Sequence, residues 1–213
     1  KIQGAEAGDG QLTPGGIQLG HGSRPISTSK VFTTGELVQT DERLDVAIAG
    51  DGFFEVQLPG GIQGYTRDGG FKVSADGALV TNEGYQIVNA IPNIGGEVVN
   101  IGISKTGDYT LFDQQGNNIG AGQIQITRFI NPSGLQNIGG NLYQETPASG
   151  VPEQGNPGQN GFGQLAQGYL EMSNVKVVEE MVNLIKAQRA YEVNAKAIQA
   201  ADEMMQRSNN IKR

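Results

Sequence analysis

The chain has 213 residues, of which 33 are glycine and eight are proline, and its 15 basic and 22 acidic residues leave a formal net charge of -7. It has no cysteine and one histidine, which excludes a disulfide framework, a cysteine nucleophile and a cysteine-bound zinc or iron-sulfur site. The acidic balance argues against nucleic-acid binding through phosphate neutralisation. No apolar run approaches the about 20 residues needed to span a bilayer, so direct membrane insertion is not expected.

Composition divides the chain sharply near its C-terminal end. All glycine and proline residues lie at or before Gly168. Residues 1–173 hold eight basic and 17 acidic groups, net -9, whereas residues 174–213 hold seven and five, net +2. Two physically different modules are therefore predicted.

The elements predicted before the break form an arm, a β-domain and a linker. Residues 1–30 are small and polar without a sustained hydrophobic period, which predicts an extended arm. Residues 31–145 are predicted to form an outer, Gly-rich antiparallel β-domain, because short apolar runs alternate with Asp-Gly, Pro-Gly-Gly and Glu-Gly turns. Its predicted strands lie at 44–49, 53–58, 71–73, 78–80, 85–88, 97–104, 108–113 and 123–129. Residues 146–173 are predicted to be a linker returning to the core.

After the break, the sequence predicts one long amphipathic helix within residues 174–213. It should run from Val175 to about Asn209, roughly 50 Å at 1.5 Å per residue, with Ser173 or Asn174 as its N-cap. Positions spaced alternately by four and three residues form a heptad seam, typical of a coiled coil. The seam residues are Val177, Met181, Leu184, Gln188, Tyr191, Ala195, Ile198, Asp202 and Met205.

The seam needs a partner. A helix of this length cannot lie wholly against a Gly-rich β-domain of this size, so its apolar side is expected to bury against another helix. That helix comes either from a segment preceding this chain or from other copies of it. The alternative at this point is an ordinary core helix folded back on the sheet.

No catalytic or cofactor motif accompanies these elements. The Asp-Gly and Glu-Gly pairs lack the spacing of a calcium-binding loop, and neither a G-x-S-x-G elbow nor a phosphate-binding G-x-x-x-x-G-K-[ST] loop occurs. For seven aromatic residues of the predicted β-domain, core packing is favoured over a carbohydrate-stacking platform: Phe53, Phe54, Tyr65, Phe71, Tyr85, Phe112 and Phe129. The sequence predicts no enzyme, no metal site and no cofactor.

Several segments resemble the bacterial flagellar rod and hook family over essentially the whole chain. These segments are GDGFFEVQLP at 50–59, YTRDGGF at 65–71, NEGYQI at 82–87, GGNLYQETPASG at 139–150 and LEMSNVKVVEEMVNLIKAQRAYEVNAKAI at 170–198. The last of them is the most specific. Within the family, GIQLGHGSRP at 16–25 and ADEMMQRSNNIKR at 201–213 are most similar to the distal-rod members.

The resemblance implies a self-assembling structural protein of the flagellar basal body, which transmits torque from the motor to the hook in the periplasmic rod. It implies paired terminal helices that form an inner tube, an outward β-domain, and type III export without a cleaved signal peptide. The implied partners are further copies of the chain, proximal rod and hook proteins, and the surrounding periplasmic and outer-membrane ring proteins. The N-terminal helix of the family is expected to lie outside this chain.

The candidate assembly residues come from the resemblance and from the seam. The resemblance carries over onto Asn174, Val175, Glu179, Glu180, Met181, Gln188, Arg189, Ala190, Tyr191 and Asn194. The periodicity adds Val177, Leu184, Ile185, Ala195, Ile198 and Met205. The alternatives are another axial protein of the proximal rod or hook, an extracellular adhesin with a coiled-coil stalk, and a hydrolase with an unrecognised site.

Overall fold

The computed structural model describes residues 6–7, 11–12, 28–92 and 94–211, which form short antiparallel strands and one long helix. The strands are β1 Glu6–Ala7, β2 Gln11–Leu12, β3 Leu37–Gln39, β4 Val46–Ala49, β5 Phe54–Gln57, β6 Gln63–Thr66, β7 Lys72–Val73, β8 Leu79–Val80, β9 Gln86–Ile87, β10 Asn100–Ile103, β11 Asp108–Phe112, β12 Asn118–Gln123, β13 Ile126–Arg128, β14 Gln136–Gly139, β15 Leu142–Gln144, β16 Glu153–Gly155, β17 Gln164–Gln167 and β18 Tyr169–Glu171. The helix is α1 Val177–Ile211, and a 3₁₀ turn spans Pro132–Gly134. The predicted fold class, mainly β with a long C-terminal helix, is confirmed.

In the N-terminal unit, residues 1–31, the described residues include an antiparallel pair, β1 with β2. Most of the predicted arm, including its histidine, lies outside the described residues.

A seven-stranded sheet forms the centre of the second unit, in the order β14-β15-β6-β5-β9-β8-β7. Phe53 and Phe54 enter its middle strand and, as neighbours in extended chain, point to opposite faces. Phe54 joins a large apolar core with Val46, Ile48 and Ile126, whereas Phe53 joins a second cluster. That second cluster consists of Phe53, Tyr65, Phe129 and Leu135. Both faces of the sheet centre are therefore buried.

Three further pairings close the body around this sheet. Strand β16 pairs with β13, β17 with β4 and β18 with β3, all antiparallel. These strands occupy residues 153–171, so most of the predicted linker 146–173 is built into the β body instead of connecting it. The local Gly and Pro content indicated turns correctly but did not reveal the distant partner strands.

The predicted strand 123–129 is divided between β12 and β13. The ladder changes partner here, because the N–H of Ile124 donates to the carbonyl of Gly107 and the N–H of Gln125 to the carbonyl of Asn89. Both Ile124 and Ile126 are buried, as their alternation predicted.

Candidate assembly helix and its root

Helix α1 has 35 residues, which makes it about 52 Å long. It contains no glycine or proline, the residues that most weaken a helix interior. Glu179 and Glu180 occupy its first turn, where the helix dipole favours negative charge. These features explain why Val177–Ile211 forms a single uninterrupted helix.

The seam side chains lie along this helix and face solvent. Leu184 is 58% exposed and Ile198 is 64% exposed, and Val177, Met181 and Met205 are exposed to a similar degree. Of the seam residues, Ala195 is half-buried. The alternative of a helix folded back on the sheet is wrong for this structure, since such a helix would bury one face. A contiguous apolar face of this extent marks an interaction surface.

The remaining candidate residues fall at different positions around the seam. With Met181 and Leu184 assigned to a and d, Ile185 lies at e, and Glu180 and Asn194 lie at g, all flanking the seam. Glu179 falls at f and Arg189 at b, away from it; both are exposed. Those two candidates are not grouped with the seam.

Two polar residues, Gln188 and Asp202, occupy a positions within the seam. A polar side chain at a specifies register and partner number at a cost in stability. The seam therefore combines apolar burial with two positions that select among possible pairings.

Asn174 and Val175 precede the helix, which corrects their placement in it. The first helical bond runs from the N–H of Glu180 to the carbonyl of Lys176, so Lys176 is the N-cap. The Asn174 amide instead donates to the carbonyl and hydroxyl oxygens of Thr33, both at 3.1 Å. The Ser173 hydroxyl accepts the N–H of Val175 at 3.2 Å. Ser173 and Asn174, the predicted N-caps, therefore hydrogen-bond within and to the segment before the helix and do not cap α1.

The helix joins the body through a two-stranded ribbon, here called the root, made of β3 and β18. Its register pairs Leu37 with Glu171 and Gln39 with Tyr169. Beyond β18, the N–H of Met172 donates to the carbonyl of Glu36 at 2.8 Å.

Sequence reasoning missed an ion pair at the root. Arg67 and Glu171 lie 2.8 Å apart, with side chains 14% and 11% exposed. The two residues are far apart in sequence, and no local period relates them. The position of a lone arginine in the turn YTRDGG was the signal that could have found it.

Three ionisable side chains in the β body have shifted pKa values. Burial, and secondarily the charges of Glu55 and Glu145, raise the pKa of Tyr65 to about 12. Hydrogen bonds from Thr106 and Ser104 lower the pKa of Asp108. Backbone and side-chain hydrogen bonds, chiefly with Asn117, lower that of Asp113. The causes are packing and turn hydrogen bonds.

In the part of the chain that the structure describes, no group of three or more histidine, aspartate or glutamate residues is placed to hold a metal ion. No helix among the same residues combines the length and apolar character needed to cross a bilayer.

The apolar seam of α1 is exposed, and the helix extends from a β body with its own core. These features define a class of protein that buries its helix seam by associating with other helices. Comparison with protein families gives the same class. Residues 166–211 match the model described as flagellar basal body rod FlgEFG protein C-terminal, and residues 47–111 match the flagellar hook protein FlgE/F/G D1 domain.

Individual relatives narrow the class further. The chain is 50% identical over 199 residues to the flagellar basal-body rod protein FlgG of Buchnera aphidicola subsp. Schizaphis graminum, covering 93% of this chain and 76% of that protein. It is 47% identical over 215 residues to the FlgG of Borreliella burgdorferi, covering 99% and 80%. It is 38% identical over 200 residues to that of Bacillus subtilis, covering 92% and 75%. The chain belongs to the flagellar basal-body rod protein family, which confirms the resemblance.

Proposed function

We propose that this chain is a structural subunit that self-assembles into the distal rod of the flagellar basal body and transmits torque from the motor to the hook. The observation that carries the proposal is the exposed heptad seam of α1, which lies inside the segment matching the rod C-terminal model. The rod relatives favour this function over the adhesin.

The mechanism follows from the free energy of the helix. An isolated helix gains little stability from propensity alone and depends on packing of its apolar face. In α1 that face is exposed, so a second helix supplies the missing burial. Addition of a subunit to a growing tube both orders the helix and stabilises the contact.

Within the rod, we place residues 174–213 toward the axis and the β body outward. The net charge of +2 on residues 174–213 and of -9 on residues 1–173 supports this arrangement, because a strongly acidic surface is solvated more readily than it is packed. The candidate assembly residues of the seam then contact helices from neighbouring copies. Proximal rod and hook proteins are the expected partners at the two ends of the tube.

The proposal extends to location and export. The subunit lies in the periplasmic part of the basal body, inside the periplasmic and outer-membrane ring proteins, and leaves the cytoplasm through type III export without a cleaved signal peptide. The lack of cysteine suits a protein that works in an oxidising compartment. The subunit performs no catalysis and uses no cofactor.

The test is assembly of the purified full-length protein, examined by negative-stain electron microscopy and analytical ultracentrifugation. We expect tubes with many subunits per turn that form above a critical concentration. Discrete trimers at all concentrations would support the stalked adhesin and contradict the proposal.

A further inference from the structure

The ion pair between Arg67 and Glu171 joins the β body to the root of α1. The Nε atom of Arg67 donates to Oε2 of Glu171 at 2.9 Å, and a terminal nitrogen lies 2.8 Å from the same oxygen. Because Glu171 is in β18, this contact acts on the strand that leads directly into the helix.

Arg67 is itself held firmly by the body. Its terminal nitrogens donate to the carbonyl oxygens of Gly52 at 3.0 Å, Gly50 at 3.1 Å and Ile48 at 3.4 Å. Its guanidinium also lies 5.8 Å from the ring centre of Phe53. Strand β4 and the turn that follows it thus supply the carbonyl oxygens that hold the arginine in position for its contact with Glu171.

The second oxygen of Glu171 contacts the segment that leads into β3. Its Oε1 accepts the N–H of Gly35 at 2.9 Å. Gly35 also approaches the chain after β18 so closely that a Cβ at this position would clash with the carbonyl oxygen of Met172. One carboxylate therefore links β18, the segment that leads into β3, and the arginine on the body.

The root has little apolar packing of its own. Val38 and Gln39 are exposed, and the residues of β18 are half-buried. The body is held separately by buried residues of β4, β5 and β6. A segment with few buried apolar contacts opens more readily than a core strand, so the polar contacts of Glu171 carry a larger share of the order at the root.

We propose that Arg67 and Glu171 are a positioning pair that fixes the direction in which α1 leaves the β body, and thereby control assembly without controlling the folding of the body. This inference rests on the proposed function, because the direction of the helix matters where a neighbour must pack against it. Weakening the pair lets the helix sample directions in which the seam cannot meet its partner.

The perturbing variant is Glu171→Gln, which keeps the size of the side chain and removes its charge. The matched control is Glu153→Gln, which removes the charge from a second arginine-glutamate contact of 2.8 Å, between Arg128 and Glu153, within the body and away from the root. Both variants are compared with the unaltered protein.

Three measurements on the full chain distinguish a pair that positions α1 from a pair that stabilises the β body. The chain contains no cysteine, so Ile119→Cys and Val193→Cys, at exposed positions, place spin labels on the body and on the face of α1 that is away from the seam. Double electron–electron resonance then gives the distribution of distances between the two labels. Hydrogen exchange reports the protection of β3 and β18 against that of β5 and β6, and sedimentation gives the critical concentration for assembly.

For Glu171→Gln we expect a broadened distance distribution, faster exchange in β3 and β18, unchanged exchange in β5 and β6, and a critical concentration raised about tenfold. Glu153→Gln should leave the distance distribution and the exchange of the root unchanged. Faster exchange in β5 and β6 of Glu171→Gln would overturn the proposal, since the pair would then hold the body. An unchanged distance distribution would also overturn it. If the unaltered protein forms no tubes, the proposed function fails, while the distance distributions still test the pair.

Discussion

Substitution of Ile198 by aspartate tests the seam against a control with the same exposure. Ile198 and Val193 are each 64% exposed in the same helix. Ile198 lies in the seam, whereas Val193 is at f, on the far side. The helix-propensity cost of aspartate is similar at both sites, so a difference between Ile198→Asp and Val193→Asp reports what covers the seam.

The expected magnitude follows from burial. Full burial of an isoleucine side chain is worth about 1.5–3 kcal/mol, so covering the 64% of Ile198 still exposed contributes about 1–2 kcal/mol per added subunit. The aspartate loses this contribution and adds at least about 2 kcal/mol for desolvating an unpaired polar group. A total of about 3–4 kcal/mol raises the critical concentration roughly 100- to 1000-fold.

The assay measures the soluble protein that remains after assembled material is sedimented, over a range of total concentrations. Ile198→Asp should remain soluble far above the critical concentration of the unaltered protein, whereas Val193→Asp should assemble nearly as that protein does. Circular dichroism checks that the β body stays folded in both. Equal effects of the two substitutions, or normal tubes from Ile198→Asp, would refute the seam as the assembly surface.

Three further outcomes follow from order, charge and titration. In a verified dilute monomer, amides of α1 should exchange quickly and those of β5 and β6 slowly, because the latter alone have a core; slow exchange along α1 would contradict this. Raising salt from low to moderate concentration should promote assembly or leave it unchanged. Residues 1–173 carry a net charge of -9, and the repulsion between neighbouring subunits that this charge causes is screened within about 10 Å at 0.1 M salt. Light scattering measures assembly, and dissolution of the tubes by salt would count against this reasoning. The pKa of Tyr65, raised to about 12, lies above that of the unfolded chain, so the stability contributed by its neutral phenol is complete below pH 10 and falls as pH rises through 12, by about 3 kcal/mol in all and roughly half of that by pH 11. Tyr65→Phe should remove that part of the alkaline loss, seen by urea unfolding at pH 8 and pH 11, and an unchanged difference between the two would be inconsistent with it.

The helix could be predicted from sequence because its determinants are local. A heptad spacing and the lack of glycine and proline are properties of consecutive residues, and they gave the element and its seam. The start was placed two residues early, at Val175 instead of Val177. The reason is that Asn174, a good cap by type, bonds to Thr33 in a distant segment.

The closure of the β body could not be predicted in the same way. Strands β16, β17 and β18 are short and lie in a stretch rich in turn residues, and their partners are earlier in the chain by up to 134 residues, as in the pairing of Glu171 with Leu37. Periodicity shows which face of a strand is apolar but not which strand lies beside it. The contact of Arg67 with Glu171 escaped prediction for the same reason.

The pairing at the root also means that the segment between its two strands begins and ends at nearly the same place. Gln39 and Tyr169 are paired, and paired residues of an antiparallel ladder have Cα atoms about 4.5–5.5 Å apart, so residues 40–168 leave and return at almost one point. A two-residue turn could close the same gap. Exchange of residues 40–168 for another segment whose ends lie equally close should therefore leave the register of β3 and β18 unchanged, provided that the incoming segment supplies a cation where Arg67 now meets Glu171.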